Sequence, residues 1–317
     1  MIRALINKFL SLVVLIRYGR LSPLVRYYYR HTMYCKLVQL KYVFQDYVIK
    51  KPYKEISFSG EFAPDLQFVL PFAYWHYKNG TLAKTRMAKY TTQLYFFSPD
   101  HAEVTDTRTN EGNYNFENPR ILFSQDYNIR KWAQVPLKDH YKNDIYVFEK
   151  PMLVIANRYN KEWNGPPISF LSVEMLDYII KRTRDRYTIV YNRPAPKNIT
   201  NDNSDVLDLN EFEWLRTTYP DVIHLEDLYL ENRGKAENFN HLQLMVYANA
   251  DRFVSVHGGT ATLASYFGGV NIIFSKEGRE HHFGCYQKLY PKFSGAQIYH
   301  AKTEEELKNH VDKVYPK

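Results

Sequence analysis

Two kinds of periodicity alternate along the second half of this chain. Short apolar runs recur, and between them lie segments whose apolar residues return every three or four positions. The first is a strand signal and the second a helical one. MLVIANRY (152–159) reads as a buried strand, and Val173, Leu176, Ile179 and Ile180 form one helical face. YTIVYNRP (187–194) is the next strand, stopped by its proline. EFEWLRTTYP (211–220) predicts a short helix, DVIHL (221–225) a short strand and FNHLQLMVYANA (239–250) a helix. RFVSVHG (252–258) is a strand running into a glycine pair, followed by a helix over 260–268 and a strand at VNIIFS (270–275). AQIYHA (296–301) is the last strand. Thr303 and Glu306 then form a capping box for a closing helix with Leu307, Val311 and Val314 on its apolar face. Strands alternating with helices predict an α/β fold with a parallel sheet.

The first half is less regular. EISFSG (55–60) reads as a strand ending at Gly60, and Glu61, Pro64 and Asp65 are the residues of a helix start. The apolar-rich stretch 66–77 continues that helix to Asn79-Gly80. YTTQLYFF (90–97) and ILF (121–123) are further strand candidates around a polar loop at 106–119. The pattern divides the chain into a segment 1–54, an N-terminal α/β domain 55–150 and a C-terminal domain 151–317.

Charge changes the reading of the first segment. The first fifty residues hold nine Lys/Arg against one acid, Asp46, while the remaining residues hold 33 Lys/Arg against 33 Asp/Glu. The apolar stretch IRALINKFLSLVVLI (2–16) is interrupted by Lys8 and Ser11. It is shorter than the roughly 20 apolar residues of a membrane-spanning helix. Arg17-Tyr18-Gly19-Arg20 follows it where a cleaved signal would have small residues. A basic amphipathic helix lying in the lipid headgroup plane fits these features, with Tyr27, Tyr28 and Tyr29 at the interface. Packing of the helix on the folded body and a true membrane anchor are the other readings. No helix-turn-helix, zinc or RNA-binding motif accompanies the charge, so nucleic acid is not an expected partner. Cys35 and Cys285 are too few for a zinc site or a disulfide framework.

Ligands of a parallel sheet bind beyond the carboxyl ends of its strands. The segment Ser255-Val256-His257-Gly258-Gly259-Thr260 ends a strand, turns on two glycines and begins a helix. Backbone N–H groups and the helix dipole there favour phosphate, and His257 stands where a leaving phosphate would need support. Thr260 is placed to cap the helix or to offer its hydroxyl. Arg158 and Arg193 follow two strands of the same sheet, and Glu277 and Arg279 follow a third. There is no G-x-G-x-x-G fingerprint, P-loop or G-x-S-x-G elbow. No Asp-x-Asp pair occurs, and His281-His282 lacks further metal ligands at suitable spacing.

The stretch ADRFVSVHGGTATLASYFGGVNIIF (250–274) resembles the sugar-nucleotide-binding segment of the GT-B glycosyltransferases, in the flavour of their heptosyltransferase-like and fucosyltransferase-like branches. The resemblance spans about 150–317 in pattern and about 250–280 in residues. It implies two Rossmann-like domains, with donor on the C-terminal one and acceptor on the N-terminal one. It also implies a catalytic base in the loop after the first N-terminal strand, which here holds Glu61 and Asp65, with the family's glycine-rich loop reduced to Gly60. Arg158, Arg193, Ser255, His257, Gly258, Gly259, Thr260, Glu277 and Arg279 are the expected donor contacts. The expectation is an inverting sugar transfer, without metal or cofactor, from a nucleotide-sugar to a surface glycan or lipid-linked acceptor. The protein is expected in the cytoplasm, peripheral at a membrane. A non-catalytic glycan- or lipid-binding module, or transfer of a non-sugar group, are the alternatives.

Overall fold

The computed structural model describes residues 2–109, 112–118, 127, 129–162, 165–200, 204–232 and 234–315. Two helices, α1 (Ile2–Tyr18) and α2 (Pro23–Leu40), form a hairpin at the N-terminus. Three parallel strands follow: β1 (Lys54–Ser57), β2 (Leu82–Ala88) and β3 (His101–Thr105), in that spatial order. The C-terminal half builds a six-stranded parallel sheet. Its strands are β4 (Met152–Ala156), β5 (Thr188–Asn192), β6 (Ile223–His224), β7 (Arg252–Val256), β8 (Val270–Phe274) and β9 (Gln297–Ala301). They lie in the order β9-β8-β7-β4-β5-β6. Counted within this sheet, the order is 3-2-1-4-5-6, the doubly wound Rossmann arrangement. A two-stranded antiparallel pair, Asn160–Glu162 with Ser204–Val206, stands apart. The chain therefore has two parallel-sheet α/β units, as the sequence leads one to expect.

The C-terminal strands form where the apolar runs predict them. All five residues of β4 are buried, because helices cover both faces of the sheet and polar alternation has no place. The capping box also forms: Thr303 Oγ1 accepts from Glu306 N at 3.1 Å, and Glu306 Oε2 accepts from Lys302 N at 2.6 Å. The strand expected at 90–97 does not form. Tyr90 adopts a left-handed φ of +64°, and the Leu94 and Tyr95 amides both donate to the Thr91 carbonyl, so the segment coils into turns. Leu94, Tyr95 and Phe97 are nonetheless buried, so the apolar run reported burial and not pleating. The strand expected at 121–123 lies outside the described residues.

The helix expected after Gly60 forms in three pieces: a turn at Phe62–Pro64, a π-turn at Asp65–Val69 and an α-helix at Leu70–Lys78. Pro71 is the cause of part of this irregularity. It has no N–H for the Gln67 carbonyl four residues back, and Trp132 Nε1 donates to that carbonyl instead, at 3.0 Å.

The two units share a core. One continuous apolar cluster runs from Ile56, Phe58, Leu66 and Phe72 of the first unit to Leu244, Leu263, Tyr266 and Phe293 of the second. A second cluster, with Ile155, Ile179, Val254 and Leu307, fills the other face of the six-stranded sheet. Polar bonds cross the same junction. Gln67 Nε2 donates to Thr262 Oγ1 at 2.9 Å and to Tyr290 OH at 3.1 Å.

The N-terminal segment is not a separate appendage. Tyr28, His31, Thr32, Cys35 and Gln39 of α2 are buried against the body, while α1 packs on α2 through Leu10 and Val14. Cys35 and Cys285 are free and buried. Below the hairpin lies a cluster of buried charges. Asp46 pairs with Lys131 and accepts from Tyr53 OH at 2.6 Å, and Lys54 pairs with Glu117. Lys131 Nζ also lies 3.9 Å from Glu117 Oε2, so two cations and two anions balance. His76 faces Asp46 at 3.8 Å but is neutral, its pKa pushed down to about 2 by burial and by the Lys54 and Lys131 cations.

Removing one member of this balanced set leaves a buried charge unpaired. Asp46→Ala is expected to lower the unfolding free energy by about 3–5 kcal/mol, measured by urea denaturation. A loss below about 1 kcal/mol would mean that water reaches the cluster.

Candidate functional site

In the 3-2-1-4-5-6 order the strand sequence reverses between β4 and β7, and the region beyond their carboxyl ends is where a sheet of this order places its ligand crevice. β4 leads into Asn157-Arg158, and β7 into His257-Gly258. Both segments are tightly held. Asn157 Oδ1 accepts from the Arg158 and Leu171 amides, each at 2.9 Å, and Asn157 Nδ2 donates to Tyr191 OH at 3.1 Å. The Arg158 side chain reaches across the crevice, with Nη1 donating to the His257 carbonyl at 3.4 Å.

Gly258 occupies φ +82° and ψ −146°, a conformation open to glycine. A Cβ there would also lie 2.7 Å from Arg158 Nη1. The helix Gly259–Ala264 begins immediately, without a side-chain cap. The N–H groups of its first turn have no partners within the helix. Thr260 is the second helical residue and not its cap. Thr262 Oγ1 fastens the turn from below by donating to the Gly258 carbonyl at 2.8 Å. From the other unit, the Phe62 ring closes on Gly259: a Cβ there would lie 2.7 Å from Phe62 Cδ1. Glu61, one residue earlier, stands partly exposed at the start of the Phe62–Pro64 turn. The carboxylate loop and the glycine turn therefore meet.

His257 is 8% exposed. Burial first, and then the Arg158 cation, push its pKa down to about 3, so it is neutral near pH 7. Its Nδ1 lies 3.3 Å from Ser275 Oγ, which also contacts His281 Nε2 at 2.9 Å. His300 Nε2 bonds the Ser275 carbonyl at 3.1 Å, and burial pushes its pKa down to about 4. Three histidines thus surround the exit of β8.

Glu277 and Arg279 follow Ser275 on an exposed loop. Between Arg279 and His281 lies Glu280, which the sequence reading passed over. Its Oε2 sits 2.9 Å from the position a Gly278 Cβ would take. Burial raises its pKa, and the Arg158 and Arg279 cations oppose that rise. An acid between an arginine and two histidines, two residues past a loop glycine, was the available signal.

Three expected site residues are otherwise engaged. Asp65 is fully buried, binding Arg108 Nη2 at 3.0 Å and Tyr95 OH at 2.5 Å, so it fixes the loop and is not presented as a base. Arg108 completes that bracket by donating to the Gly60 carbonyl at 2.8 Å. Arg193 is 8% exposed and is held by Glu211 (Nη2–Oε2 3.1 Å) and the Leu207 carbonyl, away from a ligand's reach. Ser255 lies inside the sheet, its hydroxyl donating to Asn271 Oδ1 at 2.8 Å. Arg158, His257, Gly258, Gly259 and Thr260 remain around the crevice. Among the described residues, no group of three or more His, Cys, Asp or Glu is placed to hold a metal ion.

By structure, the chain is similar to the ADP-heptose LPS heptosyltransferase II of E. coli. The likeness has 9% identity and a TM-score of 0.47, and covers 82% of this chain and 98% of that one. It is also similar to the wall teichoic acid polymerase TagF, at 12% identity and a TM-score of 0.31, over 77% of this chain and 53% of that one. A second TagF structure matches at 10% identity and a TM-score of 0.34, over 91% and 90%. No protein-family model and no curated protein matches the chain. At this degree of likeness neither name transfers to the chain, and function has to come from its own residues.

The neutral histidines give a pH dependence whose sign is fixed. In the unfolded chain His257 and His300 take up protons near the ordinary value of 6.5, whereas the folded chain resists until about 3 and about 4. The unfolded state therefore binds more protons, and stability falls as pH drops from about 6.5 towards those values. Each histidine contributes about 1.4 kcal/mol per pH unit inside its window. Denaturation midpoints between pH 7 and about 4.5 measure the slope, and His300→Asn is expected to flatten it.

Proposed function

We propose that this chain transfers a glycosyl group from a nucleoside-diphosphate sugar to a hydroxyl of a glycan or lipid-linked glycan. The observation that carries the reading is the meeting of Phe62 with Gly259, which sets the Glu61 loop against the turn spanned by Arg158. A sugar transfer needs both halves: a base for the acceptor and fixed positive potential for the leaving group.

In this reading the donor diphosphate lies on the glycine turn, met by the Arg158 guanidinium and the N–H groups of Gly259 and Thr260. The acceptor oxygen bonds to the anomeric carbon while the bond from that carbon to the diphosphate oxygen breaks. The acceptor proton passes to the Glu61 carboxylate, and the departing oxygen carries its charge onto the guanidinium and the amides. One displacement inverts the anomeric centre. No metal is required, because Arg158 and the backbone supply the positive field. Glu280 lies near Arg158 and Arg279 on the donor side.

The membrane side of the reading rests on α1. Leu5, Phe9, Leu12 and Ile16 fall on one stripe of this helix at spacings of four, three and four. All are exposed, Phe9 at 63% and Ile16 at 77%. Exposed Lys8, Arg17, Arg20 and Arg26 accompany them. Leu40, Phe44 and Val48 add exposed apolar surface beyond α2. An anionic bilayer complements both the stripe and the charge. No described helix is long and apolar enough to cross a membrane.

Thermal shift with ADP, CDP, GDP and UDP tests the donor half. A ligand at 100 times its Kd stabilises the fold by about 2.7 kcal/mol. One of the four is expected to do so with EDTA present, and Arg158→Gln to weaken it. Absence of any shift in folded protein would favour a non-catalytic binding module. Once a donor is identified, Glu61→Gln is expected to lower kcat by about 10²–10⁴ with donor affinity retained. For the membrane half, the double variant Phe9→Glu/Ile16→Glu is expected to lower co-sedimentation with phosphatidylglycerol vesicles by at least about tenfold. Unchanged sedimentation would remove the stripe from the account.

A further inference from the structure

The hairpin meets the loop on the donor side through Tyr28. Tyr28 of α2 is 2% exposed, and it is buried against the loop that follows β8. Its hydroxyl lies 3.4 Å from His282 Nδ1, and its ring meets Phe283 edge-on at a centroid distance of 5.5 Å. The backbone turns sharply at this contact. His282 is extended (φ −66°, ψ 131°), Phe283 is left-handed at φ +59° and Gly284 is left-handed at φ +73°. Bulky side chains seldom adopt the left-handed region and do so where surrounding contacts impose it. Tyr28 is such a contact. Arg279 and Glu280, on the donor side of the crevice, lie only three or four residues before the kink.

We infer that Tyr28 is a positioning residue: it holds the kink at Phe283, sets where Arg279 and Glu280 lie, and so links the seating of the lipid-facing hairpin to donor binding. This rests on the membrane reading above for the effect of lipid and on the sugar-transfer reading for its last step. The helix that would meet lipid, α1, is packed on α2, and α2 carries Tyr28, so a shift of the hairpin on a bilayer can reach the loop through this ring.

Hydrogen exchange of the 278–284 segment separates the two steps, because it needs no nucleotide. In Tyr28→Leu the segment is expected to exchange about tenfold faster, with β8 unchanged. Vesicles of equal parts phosphatidylcholine and phosphatidylglycerol are expected to slow exchange of this segment in the wild type and not in Tyr28→Leu. Affinity for the nucleoside diphosphate found among ADP, CDP, GDP and UDP is expected to fall about tenfold in Tyr28→Leu. Tyr28→Phe, which keeps the ring, is expected to restore most of both effects. Equal exchange in wild type and Tyr28→Leu would overturn the inference, as would equal nucleotide affinity. A loosened segment in a protein that binds no nucleoside diphosphate would instead sink the sugar-transfer reading and leave the positioning role standing. If Tyr28→Leu does not fold, His282→Ala, at an exposed position, carries the same comparison.

Discussion

A parallel sheet of three strands has two apolar faces to cover and too little material of its own to do it. That constraint shapes the molecule. β1, β2 and β3 obtain their cover from the C-terminal unit, through the core that joins Leu66 and Phe72 to Leu263, Tyr266 and Phe293. Tyr266 OH donates to the Leu66 carbonyl across the same boundary, and Gln67 reaches Thr262. The two units meet as parts of one interior and not as partners across a wet interface. The distance from the Glu61 loop to the glycine turn is then a property of the packed core. A hinge between the units would open apolar surface to water.

The same economy explains the N-terminal hairpin. Its inner helix serves as another covering layer for the small unit, and its outer helix is left with an apolar face that none of the described residues covers. The charges beneath α2 fit this role. Lys54, Lys131, Asp46 and Glu117 are almost completely buried, which is tolerable only as a neutral, closed set. Because their members come from β1, from the turn after α2 and from two separated loop positions, the set specifies one relative placement of those pieces.

Legibility followed physics. The C-terminal sheet could be read because strands buried on both faces must be nearly continuous apolar runs, as in MLVIA. The glycine turn could be read because a strand end, two small residues and a helix start adjoin in sequence. The segment 90–97 misled because burial of Leu94, Tyr95 and Phe97 produces the same composition in turns as in a strand. Asp65 and Arg193 stand at element ends, where ligand-facing residues are expected. What decided their environment were Arg108, Tyr95 and Glu211, partners 43, 30 and 18 positions away. Pairings at such separations leave no local trace. Glu280 was passed over for the opposite reason: its neighbours in sequence are informative, but its importance comes from Arg158, more than a hundred positions earlier.

The neutrality of His257 has a consequence for how the crevice would recognise an anion. The turn has the Arg158 guanidinium beside it, and part of its positive potential comes from peptide dipoles locked by the fold. Mobile ions screen exposed charges over about 8–10 Å at ordinary ionic strength but act far less on groups pressed against their ligand. A site assembled in this way discriminates by the direction of its N–H bonds more than by the amount of its charge. On the proposed sugar-transfer reading, it would favour a bent diphosphate over a simple salt anion in media where a cluster of lysines would bind both alike.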